Sequence, residues 1–381
     1  MDASQSLGGI MDFSYSPEQL EVKHLAAKIF ADQTTQERLR EIDAQETKFD
    51  KKLWLDLAQA GLLATALDEK YGGSALGFET LTLLLEELGR TVAPVPLVAV
   101  LTSAYVLQKY ASDEVCQRYL PAVGKGETMI SAALLEPAND NAEKPKVFAQ
   151  HSDDNWTLSG VKSAVPFAAS CEAIIMPANT AEGLAVFILN PNTDGVVLES
   201  QICTAGEPQY LLTADNAKVQ LLASGDAAVV MVKALVEHMS AALCAMAIGL
   251  TDKMMRMTAS YASEREQFGV PIATFQAVGH RAADCYIDIE CLRLTAQQAI
   301  SLLEQDNDAT EAVMIAKIWT GDVCHRVSQA SQHLHGGVGI DRDYPLFRYC
   351  LWARQIELSC GNSSALIQAL GNTIAADFLA A

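Results

Sequence analysis

The sequence predicts an α+β chain in three parts: an N-terminal helical domain at 11–125, a middle antiparallel, barrel-like β-domain at 126–225, and a C-terminal four-helix bundle at 226–381. Three observations predict it. Apolar residues recur at helical spacing up to about residue 125, short β-rich runs broken by Asn, Asp, Pro and Gly fill the middle third, and a proline-free helical pattern of about 40 residues follows Gly225.

The first helix starts after Ser16, whose hydroxyl suits an N-cap, and PEQLEVKHLAAKIFADQ places Leu20, Leu25, Ile29 and Phe30 on one side. Helical pattern continues through KKLWLDLAQAGLL and GFETLTLLLEELGR, with the turn signal KYGGSALG between them, and resumes in VAVLTSAYVLQKYA after VAPVPL. From Met129 the runs TMISAALL, NWTLSGVKSAV, CEAIIMPAN, LAVFIL, GVVLES and AKVQLL read as strands. DAAVVMVKALVEHMSAALCAMAIGLTDKMMRMTASYASE then reads as one long helix, and two or three more long helices reach Ala381. Met1–Ile10 reads as an extension, and no internal repeat is present.

Composition narrows the function. The formal net charge of -20 repels phosphate backbones and anionic headgroups, which disfavours nucleic acid and membrane surfaces as partners, although a local basic patch can still hold an anionic ligand. The nine cysteines are scattered, odd in number and without a CxxC pair, so neither a disulfide framework nor a zinc site is expected and a reducing cytoplasm fits best. No uncharged apolar run reaches about 18 residues, and the start lacks the basic and hydrophobic regions of a signal peptide.

Two segments carry chemistry. In Arg265-Glu-Gln-Phe-Gly-Val-Pro-Ile-Ala-Thr-Phe-Gln276 a helix ends at an arginine, turns through Gly269 and Pro271, and resumes at Gln276. The guanidinium fork suits a diphosphate and Phe268 can pack on a flat ring, so a dinucleotide-type cofactor is a sensible ligand; read alone, the segment is also an ordinary helix–turn–helix corner. In His333-Leu-His-Gly-Gly-Val-Gly339 the glycines Gly336, Gly337 and Gly339 let backbone NH groups approach an anion or ring, but the GxGxxG spacing and preceding strand of a nicotinamide fold are missing. His325, His333 and His335 have no acid or thiol at ligand spacing, so no metal is expected. No GxSxG elbow or Cys and His signature supports hydrolysis, and Cys360 by itself reads as a small buried hydrophobe.

In their order, YGGSALGF, LLLEELGR, the strand block, YASEREQFGVPIATFQ, HLHGGVG and the closing helix ARQIELSCG resemble the acyl-CoA dehydrogenase family over nearly the whole chain from Met11. The resemblance implies a helical, β and four-helix-bundle architecture, bound FAD, an acyl-CoA substrate and an electron-transfer flavoprotein as acceptor. In that family a glutamate takes the α-proton of the thioester while the β-hydride passes to flavin. The resemblance carries FAD contacts onto Arg265, Gln267, Phe268, Ile272, Phe275, Gln276, His333 and Gly337, and these reach a flavin held mainly by a neighbouring subunit.

The chain departs from the pattern where it would hold its own flavin. The aromatic-x-x-Thr-Glu-Pro strand reads Ala132-Ala-Leu-Leu-Glu-Pro137 without the hydroxyl, and the Trp-Ile-Thr motif is replaced within Gly160-Val-Lys-Ser-Ala-Val-Pro-Phe167, where Pro166 has no NH. Only backbone NH groups at Leu134 and Leu135 remain there. The family glutamate falls at Cys360, and its alternative place on the long helix falls at Met239. Glu357, three residues before Cys360, is a weak substitute, and Glu237 points about 160° away from the Met239 face.

VKSAVPFAAS, FILNPNTDGV and the closing helix are most similar to a bacterial branch acting on bulky acyl-CoAs, including steroid side chains, in which two related chains share one FAD. The expectation is a non-catalytic partner chain of such a hetero-oligomer. The alternatives are a self-sufficient homotetramer using Glu357 and a redox-inactive binding protein of the same fold.

Overall fold

The computed structural model of the chain describes residues 13–152 and 155–380, so the predicted extension at Met1–Ile10 lies outside the described residues. The helical part consists of α1 (Pro17–Gln33), α2 (Gln36–Asp43), α3 (Lys51–Gln59), α4 (Gly77–Thr91), α5 (Leu97–Tyr110) and α6 (Asp113–Gly124). Ser16 caps α1 as expected: its Oγ accepts the Gln19 NH at 3.2 Å, while Gln19 Oε1 accepts the Ser16 NH at 2.8 Å. The buried face differs from the expected one. Ala26 and Phe30 are buried, whereas Leu20 and Leu25 are 38 and 41 % exposed. The reason lies in the partner helix α4, since Gln19 and Lys23 donate to its Glu79 and Glu86, and this polar stripe sets the rotation of α1.

The C-terminal part consists of α7 (Asp226–Glu264), α8 (Gln276–Glu304), α9 (Thr310–His335), α10 (Leu346–Leu358) and α11 (Ser363–Ala380). Helix α7 runs unbroken for 39 residues, as its proline-free pattern predicts. By length and composition it is apolar enough to cross a membrane, yet most of its apolar window is buried inside the protein, as in a core helix.

Helices α4 and α7 meet backbone to backbone. A Cβ on Gly89 would stand 1.9 Å from Met246 O, and one on Gly249 would stand 1.8 Å from Glu86 O. The two glycines therefore set the approach of the helices, and with it the positions of Leu88 and Met246 on the inner side. Charges close the seam: Glu86 accepts from Lys23 at 2.8 Å, Arg90 at 2.9 Å and Arg293 at 3.2 Å, and Arg90 also pairs with Asp252. Gly249→Ala is expected to cost about 1–3 kcal/mol by overpacking, read as a lower urea midpoint. An unchanged midpoint would show that the helices separate freely.

The middle part holds β1 (Ile130–Ala132), β2 (Phe148–Ser152), β3 (Asn155–Pro166), β4 (Ala173–Thr180), β5 (Gly183–Leu189), β6 (Val196–Gln201) and β7 (Gln209–Ser224). Pairing closes a ring through β2, β3, β7, β5 and β4 and back to β2, which makes the expected barrel. The sheet is not wholly antiparallel: β1 and β2 both run parallel to β4. The β2–β3 hairpin intervenes before β4, so the chain returns to β4 in the direction in which it left β1. Strand β2 is absent from the strands read in the sequence because only Ala149 of its five residues is buried, which leaves no apolar alternation.

Candidate functional site

A cavity of about 290 Å³ opens where the three parts meet. Helix α7 contributes Met239, Leu243 and Met246, one stripe at helical spacing, and Leu88 of α4 stands beside them. The β-domain adds Leu134, Leu135, Ala164 and Pro166, and the α10 end adds Trp352, Gln355 and Cys360.

Cys360 is not helical. Helix α10 stops at Leu358, and Cys360 and Gly361 both take left-handed backbone at φ 52 and 91°. The corner is held by the buried Lys317, whose Nζ donates to Gly361 O at 3.1 Å and to Glu357 O at 3.4 Å. Burial pushes the Cys360 thiol above its ordinary range, with Lys317 opposing, so the group is a neutral thiol at neutral pH and no proton acceptor. Met239, the second position at which the resemblance places a base, faces the same cavity and is also without basicity.

Glu357 does not reach this cavity. The three-residue spacing from Cys360 would bring the two together only on a continuous helix, and the left-handed corner breaks it. Its carboxylate instead takes the Arg354 guanidinium at 2.5 Å and faces His325 Nδ1 at 3.5 Å. Glu237 also points elsewhere, as the helical angle predicts: it accepts the Thr310 hydroxyl at 2.9 Å, and burial raises its pKa.

The β-domain wall has little to give a flavin edge. An irregularity in β3 between Lys162 and Val165 places Ala164 at φ 52°, and its NH is spent on Gln201 Oε1 at 2.8 Å. Pro166 has no NH. Leu134, Leu135, Ala164 and Pro166 give this part of the wall apolar side chains, and the polar side chains of the β-domain in the lining are Glu207 and Gln209.

The outward-facing motif is different. Arg265 ends α7, and the short strands β8 (Glu266–Gln267) and β9 (Val270–Pro271) form a hairpin whose turn residues Phe268 and Gly269 have φ of 56 and 79°. Phe268 is 92 % exposed and meets Phe275 edge to face at 6.2 Å. A left-handed aromatic with its ring in solvent costs about 1 kcal/mol or more. Gln267 and Gln276 are exposed beside it, with Ile272 half-buried beneath.

The second motif lies on the same surface. Arg281 of α8 bonds His333 Nδ1 at 2.7 Å, and Tyr261 of α7 stacks on the buried His335 at 4.4 Å. Gly336 sits at φ 58° and, with Gly337, has open space where a Cβ would stand. Gly339 is buried, and a Cβ there would stand 2.8 Å from Gln332 O, so packing explains that glycine. The histidines have hydrogen-bond partners: His335 Nε2 bonds Tyr344 at 3.1 Å, and His325 Nε2 bonds Gln329 at 3.0 Å.

One carboxylate in the cavity wall is invisible to sequence reasoning. Glu207 lies in the β6–β7 loop, which carries none of the motifs read in the sequence, yet the fold turns it inward beside Gln209. Gln209 Nε2 donates to its Oε2 at 2.9 Å, and burial pushes the carboxyl up to about 7 from 4.5. Because the folded pKa is the higher one, this group's stabilising share is complete below pH 4.5 and is lost as pH rises to 7. Glu207→Gln is therefore expected to gain stability over the parent between these pH values and level off above them, by about 1–2 kcal/mol once partial solvent contact is allowed for. Urea titrations across pH check it, and a difference independent of pH would overturn it.

Helices, barrel and bundle meeting at one cavity, with Arg265, the exposed Phe268 and an open glycine turn facing outward, have the architecture of a flavin-linked acyl-thioester dehydrogenase. The family models "Acyl-CoA dehydrogenase, N-terminal domain" and "Acyl-CoA dehydrogenase, C-terminal domain" match residues 16–127 and 228–375, and the chain belongs to the acyl-CoA dehydrogenase family. Among curated relatives, acyl-CoA dehydrogenase FadE27 of Mycobacterium tuberculosis is 32% identical over 375 residues, covering 96% of this chain and 99% of the relative. Among solved structures, a variant of the Tcur3481-Tcur3483 steroid ACAD has a TM-score of 0.90 at 37% identity, covering 95% of this chain and 99% of the other. The ChsE4-ChsE5 complex from Mycobacterium tuberculosis has a TM-score of 0.90 at 32% identity, covering 96 and 99%.

Proposed function

We propose that this chain is the non-catalytic partner of a hetero-oligomeric acyl-CoA dehydrogenase that desaturates an acyl-CoA at its α,β bond, and that it lends its outward motif to an FAD seated in the partner chain. The observation that carries this reading is that both places for the family base, Cys360 and Met239, face one cavity and neither can accept a proton. Bound FAD supplies the hydride acceptor. Arg265 holds its diphosphate by charge and fork geometry, Phe268 covers a flat ring, and His333, braced by Arg281, with Gly336 and Gly337 borders the same ligand. The Ala164 and Pro166 edge supports the assignment, since the Ala164 NH is taken by Gln201 and Pro166 has none, which leaves this chain's own barrel fewer donors for a flavin.

Two similar structures are each named for two chains, one of them called a steroid ACAD, which supports a two-chain assembly and a bulky acyl group. The free thiols found among the described residues suit a reducing cytoplasm, and an electron-transfer flavoprotein is the expected acceptor.

The test is to purify the chain alone and with the product of a neighbouring dehydrogenase-like gene, and to record flavin absorbance before and after adding acyl-CoA. The chain alone is expected to be colourless, and the pair yellow and bleachable. A yellow, bleachable preparation of the chain alone would overturn the proposal. Failure of every pair to bind flavin would favour a redox-inactive binding protein.

A further inference from the structure

The cavity behind Cys360 does not end at apolar walls. Glu207 forms part of its lining, and also borders a second, wider cleft of about 640 Å³. Ala93, Val95 and Trp352 belong to both linings. Glu207 therefore stands at the junction, with a polar cleft bearing Arg40, Lys48, Arg342 and Arg348 on one side and the pocket of Leu88, Leu243 and Met246 on the other.

A carboxyl group in such a place is costly unless something repays it. The only side-chain hydrogen bond it accepts among the described residues is from Gln209, which occupies Oε2 and leaves Oε1 without one. Gln209 lines the same cavity, so the half-buried Glu207 carboxyl group, held at Oε2 by Gln209, stands at the mouth of an apolar chamber.

We infer that Glu207, oriented by Gln209, is a recognition subsite for the hydroxyl group of an otherwise apolar ligand whose hydrocarbon part fills the cavity. The chemistry selects an alcohol. A hydroxyl donates to a carboxylate and accepts from a carboxylic acid, so it matches Glu207 in either protonation state. A ligand carboxylate would meet like charge when Glu207 is ionised, and an ether offers no proton to it. The ligand enters from the polar cleft, the hydrocarbon passes inward along Leu243 and Met246, and the hydroxyl stops at Oε1. The inference concerns the cavity alone and holds whichever chain of a pair carries the base.

The test compares 1-decanol with decyl methyl ether, in which a methyl group replaces the hydroxyl proton that would be donated to Glu207 in a hydrogen bond, on the full-length chain. Binding is followed by intrinsic fluorescence, since Trp352 stands in the cavity wall, and by calorimetry. The alcohol is expected to bind roughly 10-fold more tightly than the ether, the gain of one hydrogen bond to a group that is partly charged. Glu207→Leu is expected to abolish the preference while keeping ether binding. Glu207→Gln, which preserves shape, is expected to weaken the preference and guards against a folding defect in the first variant. Equal affinity of the parent for both probes, no saturable binding of either, or a preference that survives in both variants would each overturn the inference.

Discussion

Arg265→Ala is expected to strip FAD from the assembled pair, weakening retention roughly 10- to 100-fold, the loss of a charge-assisted bond worth about 1.5–3 kcal/mol. The backbone that aims this side chain is fixed. The Arg265 NH bonds Tyr261 O at 2.8 Å, closing α7, and Arg265 O accepts the Ile272 NH at 2.8 Å, closing the hairpin. The guanidinium itself is exposed and forms no ion pair among the described residues, so its removal leaves the fold intact. Arg265→Lys is expected to fall between parent and alanine, because an ammonium keeps the charge and loses the fork. The ratio of flavin to protein absorbance after gel filtration reads the effect, with circular dichroism as the check on folding. Unchanged occupancy in Arg265→Ala would show that the diphosphate lies elsewhere.

Glu136→Leu is expected to destabilise the chain by about 3–5 kcal/mol, the cost of leaving a buried charge without its partner. Glu136 accepts Lys162 Nζ at 2.8 Å, the Lys146 NH at 2.7 Å, the Val147 NH at 3.1 Å and Asn139 Nδ2 at 3.0 Å. The side chains of Lys162 and Glu136 are 1 and 3 % exposed. Burial acts to raise the Glu136 pKa, but Lys162 and the NH groups outweigh it and hold the carboxyl below its ordinary range. The double variant Glu136→Leu with Lys162→Met removes both charges and is expected to recover part of the loss, while the Lys146 and Val147 NH groups stay unsatisfied. Urea midpoints of the three proteins decide it. A single variant as stable as the parent would show that the pair contributes nothing. The pair gives Glu136 a structural role: it ties the 136–147 loop to β3, just ahead of the irregularity that places Ala164 and Pro166 in the cavity wall.

Much of this was legible in the residues. The unbroken α7 follows from a long proline-free pattern, the barrel from β-rich runs between turn residues, and the turn between α7 and α8 from Gly269 and Pro271 after Arg265. Each is a local property, in which a residue's own backbone preference and the spacing of its neighbours decide the outcome. Where local pattern was weak the reading fell short. Strand β2 has one buried residue and so no alternation, and Leu20 and Leu25 sit on the outer side of α1 because α4 offers that helix a polar stripe.

The sequence by itself determined the family, the order of helices, strands and bundle, and the absence of an acid at residues 239 and 360, since these depend only on which residue types stand at which spacing. Tertiary structure decided what faces what. It kept Glu357 out of the cavity because a left-handed corner at Cys360, held by Lys317, ends helical spacing, and it pressed α7 onto α4 because Gly89 and Gly249 lie opposite each other's backbones. It also placed Glu207, in a loop without a sequence motif, in the cavity wall. Those outcomes depend on contacts between segments far apart in the chain, and a carboxylate's surroundings, not its neighbours in sequence, set its charge and its use.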